Sequence, residues 1–384
     1  MTNLSEVCSI SMGQAPEGST YNASGIGWPL IAGAGDFDAG LARAKKFTTA
    51  PSKLSQPGDI ILGIRASIGS KVFSDREYCL GRGVAGLRSG PMLDQQYLWH
   101  WLDSSKNELL SKGRGATFLQ VNRNDIASLE IPLPPLPEQR RIASILDQAD
   151  NLRALRRKTR ELLQAAEDSL FLELFGNVVL NERNWSTGNV SDLVSHFTSG
   201  KSVVGSDAER DSTRPRVLKI SSVTSGEFLS AESKPLPQNY SPPRSHFVDS
   251  GDLLISRANT SELVGATALV TGDPINLVLP DKIWKFVWPA DKSTNPLFVW
   301  KLFGRPEFRK QISDSATGSS GSMKNISQST ILSLPSIVPP PIAQARFAEK
   351  LQPIILLKSQ IQEHLAQLDE LFASLQHRAF RGEL

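Results

Sequence analysis

Cysteine is nearly missing from this chain: 384 residues contain only Cys8 and Cys79. Both lie in the first half, and no Cys/His cluster has the spacing of a zinc site, so a reduced, cytoplasmic protein without a bound metal is expected. No apolar run approaches the ~20 residues needed to span a bilayer. The start, Met1-Thr2-Asn3-Leu4-Ser5-Glu6, has no basic stretch followed by an apolar one, so no signal peptide is expected. Charge of one sign is also scarce: 42 Lys and Arg against 39 Asp and Glu leave +3, which permits nucleic-acid binding without demanding it. The five histidines, His100, His196, His246, His364 and His377, are scattered, and each reads as structural or solvated.

Catalytic motifs are absent as well. There is no Walker A sequence and no HExxH. Gly33-Ala34-Gly35 lacks the rest of a GxGxxG and reads as a turn. Asn295-Pro296-Leu297-Phe298 resembles the Asn-Pro-Pro-aromatic motif of amino-methyltransferases, but its third position is wrong and it precedes a helical pattern, so it reads as a helix-start turn. The chain is therefore expected to be a binding protein, with no catalytic residue and no cofactor of its own.

What is present is a repeat. Residues 134–175 run from Pro134-Pro135-Leu136-Pro137-Glu138-Gln139-Arg140-Arg141 to Leu174-Phe175, and residues 339–380 run from Pro339-Pro340-Pro341-Ile342-Ala343-Gln344-Ala345-Arg346 to Ala379-Phe380. An offset of about 205 aligns Gln139 with Gln344, Leu146 with Leu351 and Leu170 with Leu375. Upstream the likeness is fainter: Gly13 matches Gly200, and Gly58-Asp59-Ile60-Ile61-Leu62 matches Gly251-Asp252-Leu253-Leu254-Ile255. Each repeat is thus a variable, mixed α/β module followed by a long helix. The divisions are 1–135, 136–176, 177–338 and 339–384. Within the modules, 95–110 and 296–312 each read as one helix by apolar spacing.

The long segments carry apolar residues every three or four positions. Ile142, Leu146, Leu152, Leu163 and Leu170 form the seam of one, and Phe347, Leu351, Ile354, Ile361, Leu368 and Leu375 that of the other. Lys358 takes the one slot of the second stripe that is not apolar. A lone helix cannot bury such a seam, so the two should bury each other. Residues 138–175 would extend about 57 Å at ~1.5 Å per residue, on the order of one and a half turns of B-DNA at ~34–36 Å per turn. Two copies of one unit imply a pseudo-two-fold object suited to two half-sites on double-stranded DNA.

The polar, basic loops of the modules fit that ligand. Module one offers Arg65, Ser67 and Lys71 after a strand, and Lys112, Arg114, Thr117, Gln120 and Asn122 in a glycine-containing stretch. Module two offers Lys219, then Arg257, Asn259 and Thr260, and Ser319, Ser320, Lys324 and Asn325 in equivalent places. Arg and Lys neutralise phosphates or read guanine, Asn and Gln pair with adenine, and hydroxyls contact phosphate oxygens. Each loop taken singly also reads as plain solvated surface; the recurrence in both copies favours DNA. The basic run Arg153 to Arg160 reads equally as a solvated helix face or as a contact with DNA backbone or a partner.

Ile131-Pro132-Leu133-Pro134-Pro135-Leu136-Pro137-Glu138-Gln139-Arg140-Arg141-Ile142 and the ending Ala379-Phe380-Arg381-Gly382-Glu383-Leu384 resemble the specificity subunits of type I restriction–modification systems. The resemblance covers essentially the whole chain. It implies an α+β fold: two target-recognition domains joined by two long helices in an antiparallel coiled coil. It also implies that each domain reads one half of a gapped target. Two methyltransferase subunits carrying S-adenosylmethionine would methylate adenine, and two motor–endonuclease subunits using ATP and Mg2+ would cleave. A stand-alone modification or restriction enzyme with similar recognition domains is the alternative. Copy two departs from the motif at Ile342-Ala343-Gln344-Ala345-Arg346, so its helix start is expected to be weaker.

Overall fold

A computed structural model describes residues 1–38, 40–115, 119–203, 214–237, 240–318 and 323–384. The chain divides into two compact units, one made of 1–159 with 361–384 and the other of 160–360. Four helices carry the features that position the loops: α1 (Gln95–Ser104), α2 (Leu136–Phe175), α3 (Pro296–Gly304) and α4 (Pro341–Ala379). The chain passes between the units within α2 and within α4, so each unit holds a globular part and a portion of both long helices.

The globular part of the first unit centres on four antiparallel strands in the spatial order Cys8–Met12, Val84–Ser89, Ile60–Gly63, Lys71–Phe73. Side chains alternate along a strand, and the central strand uses both faces: Ile60 and Leu62 enter the main core, whereas Ile61 packs with Ile31, Val72 and Leu80 on the other side. The second unit repeats the order with His196–Ser199, Ile283–Val287, Leu253–Ser256 and Thr267–Leu269. There Leu253 and Ile255 face the main core and Leu254 the opposite one. Each unit also has a parallel strand pair, Trp28–Ile31 with Cys79–Leu80 and Arg216–Leu218 with Leu277–Val278.

The two glycines matched in sequence are explained by close packing. A Cβ on Gly13 would lie 2.1 Å from the carbonyl oxygen of Gly81, and one on Gly200 1.7 Å from that of Leu279. Both neighbours are backbone and cannot rotate away.

The helices expected at 95–110 and 296–312 are each two. Ser105 breaks the first, ahead of a short helix over Lys106–Ser111. Pro306 breaks the second, because a residue before proline is driven out of the helical region; Arg305 is extended, at φ −65 and ψ 134, and Pro306–Ser315 forms a new helix. The turn read at Asn295 is a helix start: its side chain accepts from the Leu297 N–H, with Pro296 in the first turn.

Both long helices form, at 40 and 39 residues. Within each unit they run antiparallel. In the first, Arg141 reaches Leu384 while Arg153 reaches Asp369. In the second, Phe175 and Phe171 meet Phe347 while Gln164 and Glu167 meet Lys358. Ile142, Leu146, Phe347, Leu351 and Ile361 are buried, and Leu163, Leu170, Ile354, Leu368 and Leu375 are half-buried. Leu152 is a correction to the seam: it is 51% exposed. The neighbouring Arg153 takes the inward slot, bonding Asp369 at 2.6 Å and lying 4.3 Å over the Phe372 ring.

Candidate nucleic-acid interface

Each helix start is clamped to its globular part by a buried glutamine. Gln139 accepts from the Asp94 N–H at 2.8 Å and donates to the Met92 and Pro134 carbonyls at 2.9 and 2.8 Å. Gln344 accepts from the Asn295 N–H at 2.9 Å and donates to the Pro339 carbonyl at 2.8 Å. Asp94 caps α1 and Asn295 caps α3, so in each unit the same amide ties a long helix to the cap of a shorter one. An interior amide whose donors and acceptor are met fixes orientation at little cost.

Further along, the two units solve one packing problem differently. His100 on α1 bonds Asp147 at 2.7 Å and tilts against Phe372. At the matching place in the second unit Lys301 on α3 pairs with Glu167, which stands where Phe372 stands in the other copy. Lys358 occupies the slot of Arg153 and lies 3.1 Å from Glu167 Oε1. Burial lowers the Lys301 pKa, and the attraction of Glu167 opposes that shift. Sequence reading isolated Lys358 but missed Glu167, because nothing local marks a carboxylate as buried.

The loops singled out as polar and basic do come together. In the first unit Ile64, just past the central strand, donates its N–H to the Gly83 carbonyl at 3.0 Å, and its own carbonyl accepts from the Val121 N–H at 3.0 Å. In the second, Arg257 donates to the Lys282 carbonyl and accepts from the Ile326 N–H, both at 3.0 Å. Just before each of those donors, a backbone bridge joins two described residues. Arg114 and Gln120 exchange backbone bonds in one, Thr317 and Asn325 in the other. The same three-stranded seam of loops therefore recurs at one end of each central sheet.

Individual side chains within it differ in availability. Ser67 is exposed and Arg65 is half-buried, its Nε without a hydrogen-bond partner. Lys71 is committed elsewhere: it pairs with Asp103 and stacks 4.3 Å over Trp99, and burial lowers its pKa against the pull of Asp103. Lys112 bonds Glu108 at 3.0 Å, and Arg114 extends outward with one nitrogen 3.1 Å from Asp125. Gln120 is exposed. Asn122 caps the helix Arg123–Ala127 in a reciprocal box with Asp125. Its side-chain oxygen is thereby occupied.

In the second unit Arg257 donates from Nε to the Asp281 carbonyl at 2.9 Å and lies against Trp284. Asn259 pairs in register with Lys324, whose ammonium donates to the Ser313 carbonyl at 2.8 Å. Thr260 accepts from the Leu263 and Val264 N–H groups through its carbonyl, and Asn325 is exposed. Lys219 directly follows a strand of a different sheet, Arg216–Leu218, and sits 3.7 Å from Glu232. Thr117, Ser319 and Ser320 lie outside the described residues. Among the described residues no group of three or more His, Cys, Asp and Glu could hold a metal ion, and no described helix is long and apolar enough to cross a membrane.

Comparison with known proteins shows what this chain is similar to. Residues 1–165 match the type I restriction modification DNA specificity domain. A putative type I restriction enzyme MjaX specificity subunit from Methanocaldococcus jannaschii is 33% identical over 162 residues, 42% of this chain and 38% of that relative. The matched stretch thus spans well under half the length of that relative. The type I restriction enzyme EcoKI specificity subunit from Escherichia coli K12 is 26% identical over 377 residues, covering 91% of this chain and 80% of the relative. Among solved structures, the type I restriction–modification S subunit from M. genitalium superposes with a TM-score of 0.63 over 99% of this chain and 95% of that one, at 14% identity, which is a likeness of fold. Residues 1–165 are thus similar to this DNA specificity domain, and the chain as a whole is similar to type I specificity subunits in sequence and in fold.

Proposed function

We propose that this chain is the non-catalytic, DNA-reading subunit of a type I restriction–modification complex, and that each recognition module reads one part of a bipartite, gapped target. The observation that carries the reading is the recurrence of one loop cluster at the end of both central sheets, built on the same pair of backbone bonds in each. The side chains on that common frame differ. Arg114 and Gln120 in the first cluster correspond to Thr317 and Asn325 in the second, so the two parts of the target differ in sequence. Adenine methylation belongs, in this reading, to two methyltransferase subunits that carry S-adenosylmethionine. Cleavage belongs to two motor–endonuclease subunits that use ATP and Mg2+. The chain itself binds none of these cofactors.

The test is selection of bound duplexes from a random-sequence DNA pool, with the chain alone and with a cognate methyltransferase added. The expected result is one gapped motif and an affinity that falls steeply with salt. Binding without sequence preference would overturn the reading. Methyl transfer from labelled S-adenosylmethionine by the chain alone would favour the stand-alone enzyme instead.

A further inference from the structure

We propose that Arg82 is a DNA-contacting residue of the first recognition module, with no counterpart in the second. The proposal rests on the DNA-reading function. Arg82 stands between two glycines that the fold requires. A Cβ on Gly81 would lie 2.8 Å from the Ala32 Cα, and one on Gly83 2.4 Å from the Ala32 carbonyl oxygen. The three-residue loop is held on both sides: Gly81 N–H donates to the Ile31 carbonyl at 2.8 Å and Gly83 N–H to the Ala32 carbonyl at 3.0 Å. The Gly83 carbonyl in turn accepts from Ile64, the residue before Arg65, which opens the first of the polar loops. Arg82 therefore belongs to the same seam of loops, on a backbone with little freedom to lose on binding.

Charge separates it from its neighbours. Lys71, Lys112 and Arg114 are each within ion-pair distance of a carboxylate, those of Asp103, Glu108 and Asp125. Arg82 is exposed and, like Arg65, has no ion-pair partner among the described residues. A guanidinium that the protein leaves unneutralised is the one whose charge remains for a phosphate or a guanine edge. The second module lacks this device. Its Lys282 carbonyl accepts from Arg257 as that of Gly83 accepts from Ile64, so Asp281 stands in the place of Arg82. Arg257 approaches that corner from the neighbouring loop, bonded to the Asp281 carbonyl and 4.0 Å from its carboxylate.

The experiment compares the full chain with R82A, R82K and R76A in the same random-pool selection and in affinity measurements on the wild-type motif. Arg76 is an exposed control already paired with Asp75. R82A is expected to bind about 10-fold more weakly or worse, with an unchanged unfolding midpoint. If R82K also loses affinity and one part of the motif relaxes, Arg82 reads a base. If R82K binds normally and R82A lowers the salt slope by about 1, it holds a phosphate. Both results support the contact. Wild-type affinity and motif in R82A would overturn it while leaving the functional reading intact. Failure of the wild-type chain to select any motif would sink that reading instead.

Discussion

Glu167 is the residue whose loss the fold should feel most. It is 0% exposed, and two ammonium groups converge on it, those of Lys301 and Lys358, whose side chains are 11% and 14% exposed. Glu167→Gln keeps the shape and removes the charge. Breaking a buried ion pair by deleting one partner costs ~3–5 kcal/mol, because the remaining charge is stranded. Here two charges are stranded, but each keeps some shelter. Lys358 still donates to Gln164 at 2.7 Å, and Lys301 lies 4.0 Å over the Trp300 ring. Both can also extend toward water on flexible stems. The lower end, ~3 kcal/mol, is therefore expected.

The same principle predicts a rescue: a buried triad replaced as a whole by apolar side chains of similar volume is neutral or better. E167L/K301M/K358M should recover at least ~2 kcal/mol relative to Glu167→Gln. The first unit already packs Phe372 at the matching position. Hydrogen exchange in peptides covering 160–175, 296–304 and 345–360 is the suitable assay, since a chain of two units need not unfold in one step. A loss below ~1 kcal/mol for Glu167→Gln, which is the range of an exposed pair, would rule out a buried triad that matters to stability. So would a triple variant no more stable than the single one.

Other expectations concern the repeated features. Gln139→Leu and Gln344→Leu each leave a part-buried cap N–H without its acceptor and should cost about 1–3 kcal/mol by urea unfolding; neutral variants would show that the clamp holds nothing. Gly200→Ala drives a methyl into the Leu279 carbonyl and should cost ~1–3 kcal/mol or abolish soluble expression, whereas Gly18→Ala, where nothing lies within 4 Å, should be nearly silent. Burial pushes the Cys8 thiol up to about 12, so iodoacetamide at pH 8 should label it only after denaturation. Because the folded pKa is the higher one, the unfolded chain loses this proton first, and stability from this group falls as pH rises from 9.0 toward 12. Rapid labelling of native Cys8 would contradict the burial.

Much of this architecture could be read from sequence, for a physical reason. Features forced on both copies show up as matched residues. Gln139 and Gln344 align because each must satisfy a helix cap, and Gly13 and Gly200 because each abuts a carbonyl. The apolar spacing of the long segments showed that they were helices. It misassigned Leu152 because Arg153 has a long apolar stem and an acceptor on the other helix, Asp369, which no local pattern reveals. The break at Pro306 was legible but was overridden by apolar spacing on either side of it. The candidate interface was read at the level of loops, since the polar stretches lie beside the same strand pattern in each copy. It was not read at the level of side chains. Whether Lys71 is free or bound depends on Asp103, more than thirty residues away, and that pairing exists only once the sheet and α1 are packed.

The methylome of a host strain, sequenced with and without this gene, probes the DNA-reading role without intermediaries. Deletion is expected to remove one gapped adenine-methylation motif, and restoring the gene to bring the same motif back. A methylome unchanged by deletion, in a strain whose methyltransferase subunit is expressed, would overturn that role.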